Sequence, residues 1–154
     1  MKNLAITLRA AQLFTHAAHN TISGCTFFSD HEFLGELYGT YEEVYDAVVE
    51  RMIGLGQAID LQEITRASCA KSLENDASKM DSTDIFVFLL SVEADIRKWA
   101  ESYNADASFG SKNFLQGIAD DSEMRSYKIG QRAKAETEED VAEGETSEAA
   151  PEKE

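Results

Sequence analysis

Residues 29–56 read SDHEFLGELYGTYEEVYDAVVERMIGLG, and this stretch decides the fold class. Phe33, Leu34, Leu37, Tyr38, Tyr41, Val44, Tyr45, Val48, Val49, Met52 and Leu55 recur at three- and four-residue steps, the period of one helix face. No proline interrupts them before Gly54 and Gly56. The pattern predicts one helix of about 27 residues, roughly 40 Å long. Ser29-Asp30-His31-Glu32 at its head has the form of a capping box, with the Ser29 hydroxyl accepting from the Glu32 amide and Glu32 reaching back.

The flanking sequence is helical too. From Lys2 to Ser23, Leu4, Leu8, Ala11, Ala18 and Ile22 lie on one helix face, and Gly24 is a plausible stop. Asp60-Leu61-Gln62-Glu63 opens a short helix to about Leu73. Ser82 is placed as the cap of a helix through Ile85, Phe86, Phe88, Leu89, Val92, Ile96, Trp99 and Tyr103. Its first half is apolar nearly all round, so burial on most sides is expected. A last helix runs through Phe114, Leu115, Ile118, Met124, Tyr127 and Ile129. Lys128, Arg132 and Lys134 fall near its expected end, where cations complement the helix dipole. The expectation is an all-α protein with four main helices and a short extra one between the second and third. The simplest packing is a four-helix bundle, and the long connection from Gly56 to Ser82 allows a crossover.

Composition bounds the rest. A chain of 154 residues fits one domain, and a single proline with nine glycines excludes collagen-like and proline-rich layouts. No apolar run approaches the ~20 residues of a membrane span. The start, Met-Lys-Asn-Leu-Ala-Ile-Thr-Leu-Arg, shows no signal-peptide pattern. Cys25 and Cys69 make no disulfide framework, and two free thiols fit a reducing cytoplasm, the expected location. Net charge is −15, of which −8 falls in Ala135–Glu154. Nucleic-acid affinity is mostly cation-driven, so this charge opposes it, while it suits solubility or the gathering of metal cations. Residues 135–154 have only Val141 as a sizeable apolar side chain. They are expected to form a disordered acidic tail after a bundle domain of residues 1–134.

Four residues stand out as candidate metal ligands: His19, His31, Asp46 and Glu50. His16 and His19 share a face of the first helix, and His31 opens the long one. Asp46 and Glu50 are four apart within the apolar stripe, beside Tyr45, Val49 and Met52. Buried carboxylates need partners, and imidazole with carboxylate suits iron. Glu42 and Glu43 read as solvated surface, and His16 as a support for His19 or a surface residue. Because His31 and Asp46 are 15 residues apart on one helix, they lie roughly 22 Å apart along its axis. One chain cannot bring all four to one ion. A two-fold pair of long helices would make two equivalent sites between subunits.

The stretch Thr15–Gly56, THAAHNTISGCTFFSDHEFLGELYGTYEEVYDAVVERMIGLG, resembles the Dps-type mini-ferritins. His19, Gly24, Phe27, Phe28, His31, Glu32, Asp46, Glu50, Arg51 and Gly56 fall in register with the family pattern without a gap. Asn113-Phe114-Leu115-Gln116-Gly117-Ile118 looks like the family's entry to its fourth helix. The resemblance implies a ferritin-like four-helix bundle with a short helix between helices 2 and 3. It further implies a hollow dodecamer built from two-fold dimers. In the family, the ferroxidase centre lies between subunits. The likeness assigns His19 and His31 to one chain and Asp46 and Glu50 to its partner, with Glu50 bridging and His31 as a weaker or outer ligand.

Several positions depart from the family pattern. Asn20 stands where a tryptophan usually neighbours the iron, Cys25 where proline is common, and Gln57 in place of a glycine. With the first helix beginning almost at Met1, the basic N-terminal extension that many members use to hold DNA is not expected here. Ser108 and Asn113 occupy expected positions of pore acids, and Asp106, Asp120 and Asp121 are candidate replacements.

The leading expectation is a ferroxidase and iron store. It would take Fe(II) as substrate at a di-iron or mono-iron centre, with zinc as a possible substitute metal. It would use hydrogen peroxide or dioxygen as oxidant and thereby protect against oxidative damage. The alternative is a structural shell or DNA-associated protein of the same type with little ferroxidase activity. No membrane partner is expected.

Overall fold

Helix α1 (Lys2–Thr21) is the element around which the others gather. Leu4, Leu8, Ala11, Phe14 and Ala18 are buried along it. Small residues at Ala5, Ala10, Ala11 and Ala18 are also buried. α1 packs against α2 (Phe27–Gly54), α3 (Leu61–Ser72), α4 (Ser82–Glu101) and a 3-10 turn at Ala77–Lys79, while α4 packs along α5 (Phe109–Thr146). The computed structural model describes residues 1–102 and 107–146, with 135–146 described by their backbone alone. Among these residues the protein is all-helical with no strand, an arrangement compatible with a helical bundle. None of its described helices is long and apolar enough to cross a membrane.

The core joins the helix faces that the periodicity predicts. Leu34, Leu37, Tyr41, Val48 and Met52 of α2 are buried with Ile85, Phe86, Leu89 and Ile96 of α4 and Leu115, Ile118 and Ile129 of α5. Phe14 meets Phe88 at 4.4 Å between ring centroids. The Asp60 side chain accepts from the Glu63 amide and caps α3 as expected. In the connection between α1 and α2, Gly24 takes φ of +109°, a conformation glycine adopts without steric cost.

Three helix ends differ from the sequence reading. α2 starts at Phe27, and Ser29 donates to the Thr26 carbonyl at 2.9 Å instead of forming the capping box. The reason is Asp30, which is buried and paired with Arg132 by two hydrogen bonds of 2.9 and 2.8 Å. Thr26 adds a third bond to Asp30 at 2.7 Å. This pair fastens the head of α2 to α5 and holds the preceding residues in helical register. Arg132 therefore serves a buried ion pair, not a helix terminus. α4 is capped by Asp81, which accepts from the Asp84 amide, one residue before the expected Ser82.

The third difference is α5, which runs to Thr146, past the expected boundary at Ala135. Residues 135–146 hold five glutamates, a good helix former, with two alanines and no proline. The remainder of the expected acidic tail, residues 147–154, lies outside the described residues, as do Tyr103 and Asp106.

Candidate functional site

His19, in the last turn of α1, and His31, in the second turn of α2, meet where the two helices join. The His19 Nδ1–H donates to the His31 carbonyl at 2.8 Å, and the His31 Nδ1–H donates to the His19 carbonyl at 2.9 Å. A carbonyl only accepts, so the proton is assigned to Nδ1 on both rings. When each ring is neutral, its Nε2 carries a bare lone pair. That is the tautomer a metal-ligating histidine adopts when its other nitrogen is tied to a carbonyl. The rings are stacked, with centroids 3.8 Å apart and planes inclined by 23°.

A set of rings surrounds the pair. Phe27 stacks on His31 at 5.0 Å, and Tyr38 sets its edge against His19 at 5.5 Å. His16 is exposed and lies 4.5 Å from Tyr38 and 6.5 Å from His19. Asn20, standing where an aromatic neighbour was expected, is exposed and donates to the carbonyl of His16 at 2.9 Å. The aromatic contacts of the pair come instead from Tyr38, which the sequence reading placed in the apolar stripe, and from Phe27, which it named only in the family register. Gly35 was also missed. A Cβ there would stand 3.2 Å from His19 Cε1. The available signal was a glycine inside a helix, a position that costs about 1 kcal/mol relative to alanine.

The carboxylates lie elsewhere. Asp46 and Glu50 are exposed on α2, one turn apart, while Val48, Val49 and Met52 beside them are buried. The expectation of two acids within an apolar face is corrected for the single chain. Both point to solvent at the margin of the buried stripe and incur no burial cost. The structure thus brings His19 to His31 and leaves Asp46 and Glu50 further along α2. Among the described residues, no group of three or more histidine, cysteine, aspartate or glutamate side chains gathers to hold a metal within the chain. Glu42 is a surface residue held by Arg9 at 3.3 Å, and Glu43, Asp120 and Asp121 are exposed. Cys25 and Cys69 are exposed free thiols.

A second polar cluster escaped the sequence reading because its acid sits in an apolar helix. Glu93 of α4 is wholly buried. It accepts from Tyr41 Oη at 2.7 Å, Ser122 Oγ at 2.6 Å and Arg125 Nε and Nη2 at 2.7 and 3.1 Å. Burial, reinforced by the Glu93 charge, pushes the Tyr41 phenol well above its ordinary range. Burial opposes the charge on Arg125, but the hydrogen bonds to Glu93 together with the charges of Glu93, Tyr41 and Asp121 outweigh that effect and hold its pKa above the usual value. The carboxylate is saturated by donors from two helices, α2 and α5, so this cluster is a structural junction that ties both to α4.

The chain matches no family model, and no solved structure matches it. It is similar to a protein of Deinococcus radiodurans named DNA protection during starvation protein 2. The two are 28% identical over 88 residues, covering 57% of this chain. The chain spans 36% of that relative's length. This is a distant, partial relationship, in line with a Dps-like character.

Proposed function

We propose that the chain is an iron-handling protein of the mini-ferritin type. It binds Fe(II) as substrate and oxidises it with hydrogen peroxide or dioxygen at a site shared by two copies. His19 and His31 come from one copy, and Asp46 and Glu50 from the other. The copies assemble as two-fold dimers into a hollow shell, a dodecamer, in which the ferric product is stored.

The observation that carries this reading is the reciprocal bond between the two histidines. It spends both Nδ1 protons on backbone carbonyls and leaves both Nε2 atoms as the only ring positions able to meet a metal. Near-parallel rings stacked at 3.8 Å have planes that meet well beyond a metal–imidazole bond, which is about 2.1 Å for zinc. The two Nε2 lone pairs therefore do not converge on one ion, which favours the di-iron over the mono-iron form of the site. Two ions suit the chemistry. Each Fe(II) gives one electron to a single peroxide, whose O–O bond breaks to two waters on taking up two protons. Delivered as a pair, the electrons leave no hydroxyl radical. The exposed acids Asp46 and Glu50 supply the hard anionic oxygen that favours Fe(III) over Fe(II). Zinc, which also accepts imidazole and carboxylate, would compete for the same groups.

The relative's name speaks of DNA protection. With a net charge of −15, this chain lacks the cationic surplus that phosphate binding demands, so the protection proposed is removal of Fe(II) and peroxide. The test is anaerobic loading of the purified protein with Fe(II), followed by peroxide. Wild type is expected to develop ferric absorbance faster than Glu50→Ala. Equal traces would overturn the reading. Clear retardation of DNA in a gel at low salt would favour the DNA-associated alternative.

A further inference from the structure

We propose that Gly35 is a positioning residue for the His19 imidazole. The bare backbone of α2 at this position is the seat on which the ring lies. This rests on the reading of His19 and His31 as Fe(II) ligands. A Cβ built at Gly35 would approach His19 Cε1 to 3.2 Å and Nδ1 to 3.4 Å. The first distance is inside the 3.5–4.0 Å optimum for carbon atoms. The ring has little room to retreat. Its Nδ1 is tied to the His31 carbonyl at 2.8 Å, it is stacked on the His31 ring at 3.8 Å, and Tyr38 meets it edge-on. A methyl group at this site pushes the imidazole by a few tenths of an ångström against contacts that leave it little room, and so works against the reciprocal bonds that hold Nε2 bare.

The same helix supplies a control. Gly39 lies one turn further along α2, and a Cβ there would meet nothing within 4 Å. Both glycines weaken the helix in the same way, through backbone entropy. Only Gly35 has a ligand candidate against it. The two positions thus separate the general effect of a helical glycine from the specific one.

The test compares Gly35→Ala with Gly39→Ala in the full chain. Imidazole 15N correlation spectra recorded without metal should show the Nδ1–H tautomer for His19 and His31 in wild type and Gly39→Ala, and its loss in Gly35→Ala. Anaerobic Fe(II) titration should show an affinity loss of about 10–100-fold for Gly35→Ala, the usual effect of losing an outer support of a metal ligand. Gly39→Ala should bind as wild type does. Melting supplies a readout that survives poor folding. Gly35→Ala should lower the melting temperature when His19 is present and raise it in a His19→Ala background, where the ring is gone. Wild-type tautomers and affinity in Gly35→Ala would overturn the proposal, as would an equal rise in melting temperature in both backgrounds. If wild type binds no Fe(II) while the spectral and melting contrasts persist, the seat stands and the iron reading falls.

Discussion

Glu93 of α4 and Arg125 of α5 face each other through two hydrogen bonds of 2.7 and 3.1 Å, with the carboxylate wholly buried. The bundle therefore carries its own counter-ion at this interior position, and a divalent cation finds no unpaired acid there. Removing the guanidinium by Arg125→Met should cost about 3–5 kcal/mol, because it leaves a buried charge without its partner. The double change Glu93→Leu with Arg125→Met should recover much of that loss, since no charge remains to be desolvated. Urea midpoints of the three proteins decide this. Equal midpoints for wild type and Arg125→Met would mean that water reaches Glu93.

The Tyr41 phenol makes stability depend on alkaline pH. Its folded pKa is raised by burial and by Glu93, while in the unfolded chain it titrates near ~10. Below pH 10 both states keep the proton, and the contribution is constant. As pH rises past that value, the unfolded chain loses the proton first. Stability then falls at up to about 1.4 kcal/mol per pH unit until the folded phenol also ionises. Tyr41→Phe should be less stable at neutral pH by about 1–3 kcal/mol, having left Glu93 short of a donor. It should also show a shallower alkaline decline. Parallel pH curves for the two proteins would refute the assignment.

The helices were legible because burial follows period: Leu34, Leu37, Tyr41, Val48 and Met52 repeat on α2 as the sequence predicts and are buried. What could not be read were the polar pairs. Asp30 lies 102 residues from Arg132, and Glu93 lies 32 from Arg125. No local pattern marks such partners, and Asp30 was hidden inside a capping-box motif that does not form. The His19–His31 pair was visible as residue types, but its reciprocal bonds depend on the angle at which α1 enters α2. Gly35 carries no side chain for a pattern to catch. The exposure of Asp46 and Glu50 was misjudged because they flank the apolar stripe closely enough for the periodicity to include them.

Truncation after Lys134 should leave the core intact. Among the described side chains of α5, the last in the core are Ile129 and Ala133, and the Arg132–Asp30 pair lies between them. Deleting residues 135–154 removes a net charge of −8 per chain. Helical signal should fall in proportion to the residues of α5 beyond Lys134, while the melting temperature and particle size hold. If these acids gather Fe(II), uptake should slow on truncation at low salt and not at high salt. Exposed charges are screened over ~8 Å at 0.15 M. Loss of the oligomer would show that the segment is part of the assembly.

The proposed shared site predicts complementation between two inactive chains. In the proposed two-fold dimer, each site would take its histidines from one subunit and its carboxylates from the other. His19→Ala and Glu50→Ala homodimers should both be inactive, because every site lacks one ligand. A heterodimer of the two chains holds one site with both ligands lost and one with all ligands intact. Random co-assembly gives half heterodimers, so about a quarter of all sites should be whole. Refolding the two variants together should therefore restore about a quarter of the wild-type rate of Fe(II) oxidation, while mixing them without subunit exchange should restore none. A site contained in one chain gives no recovery under either condition, because neither variant then carries a full ligand set. Recovery after refolding alone identifies the interface as the place where the iron is oxidised.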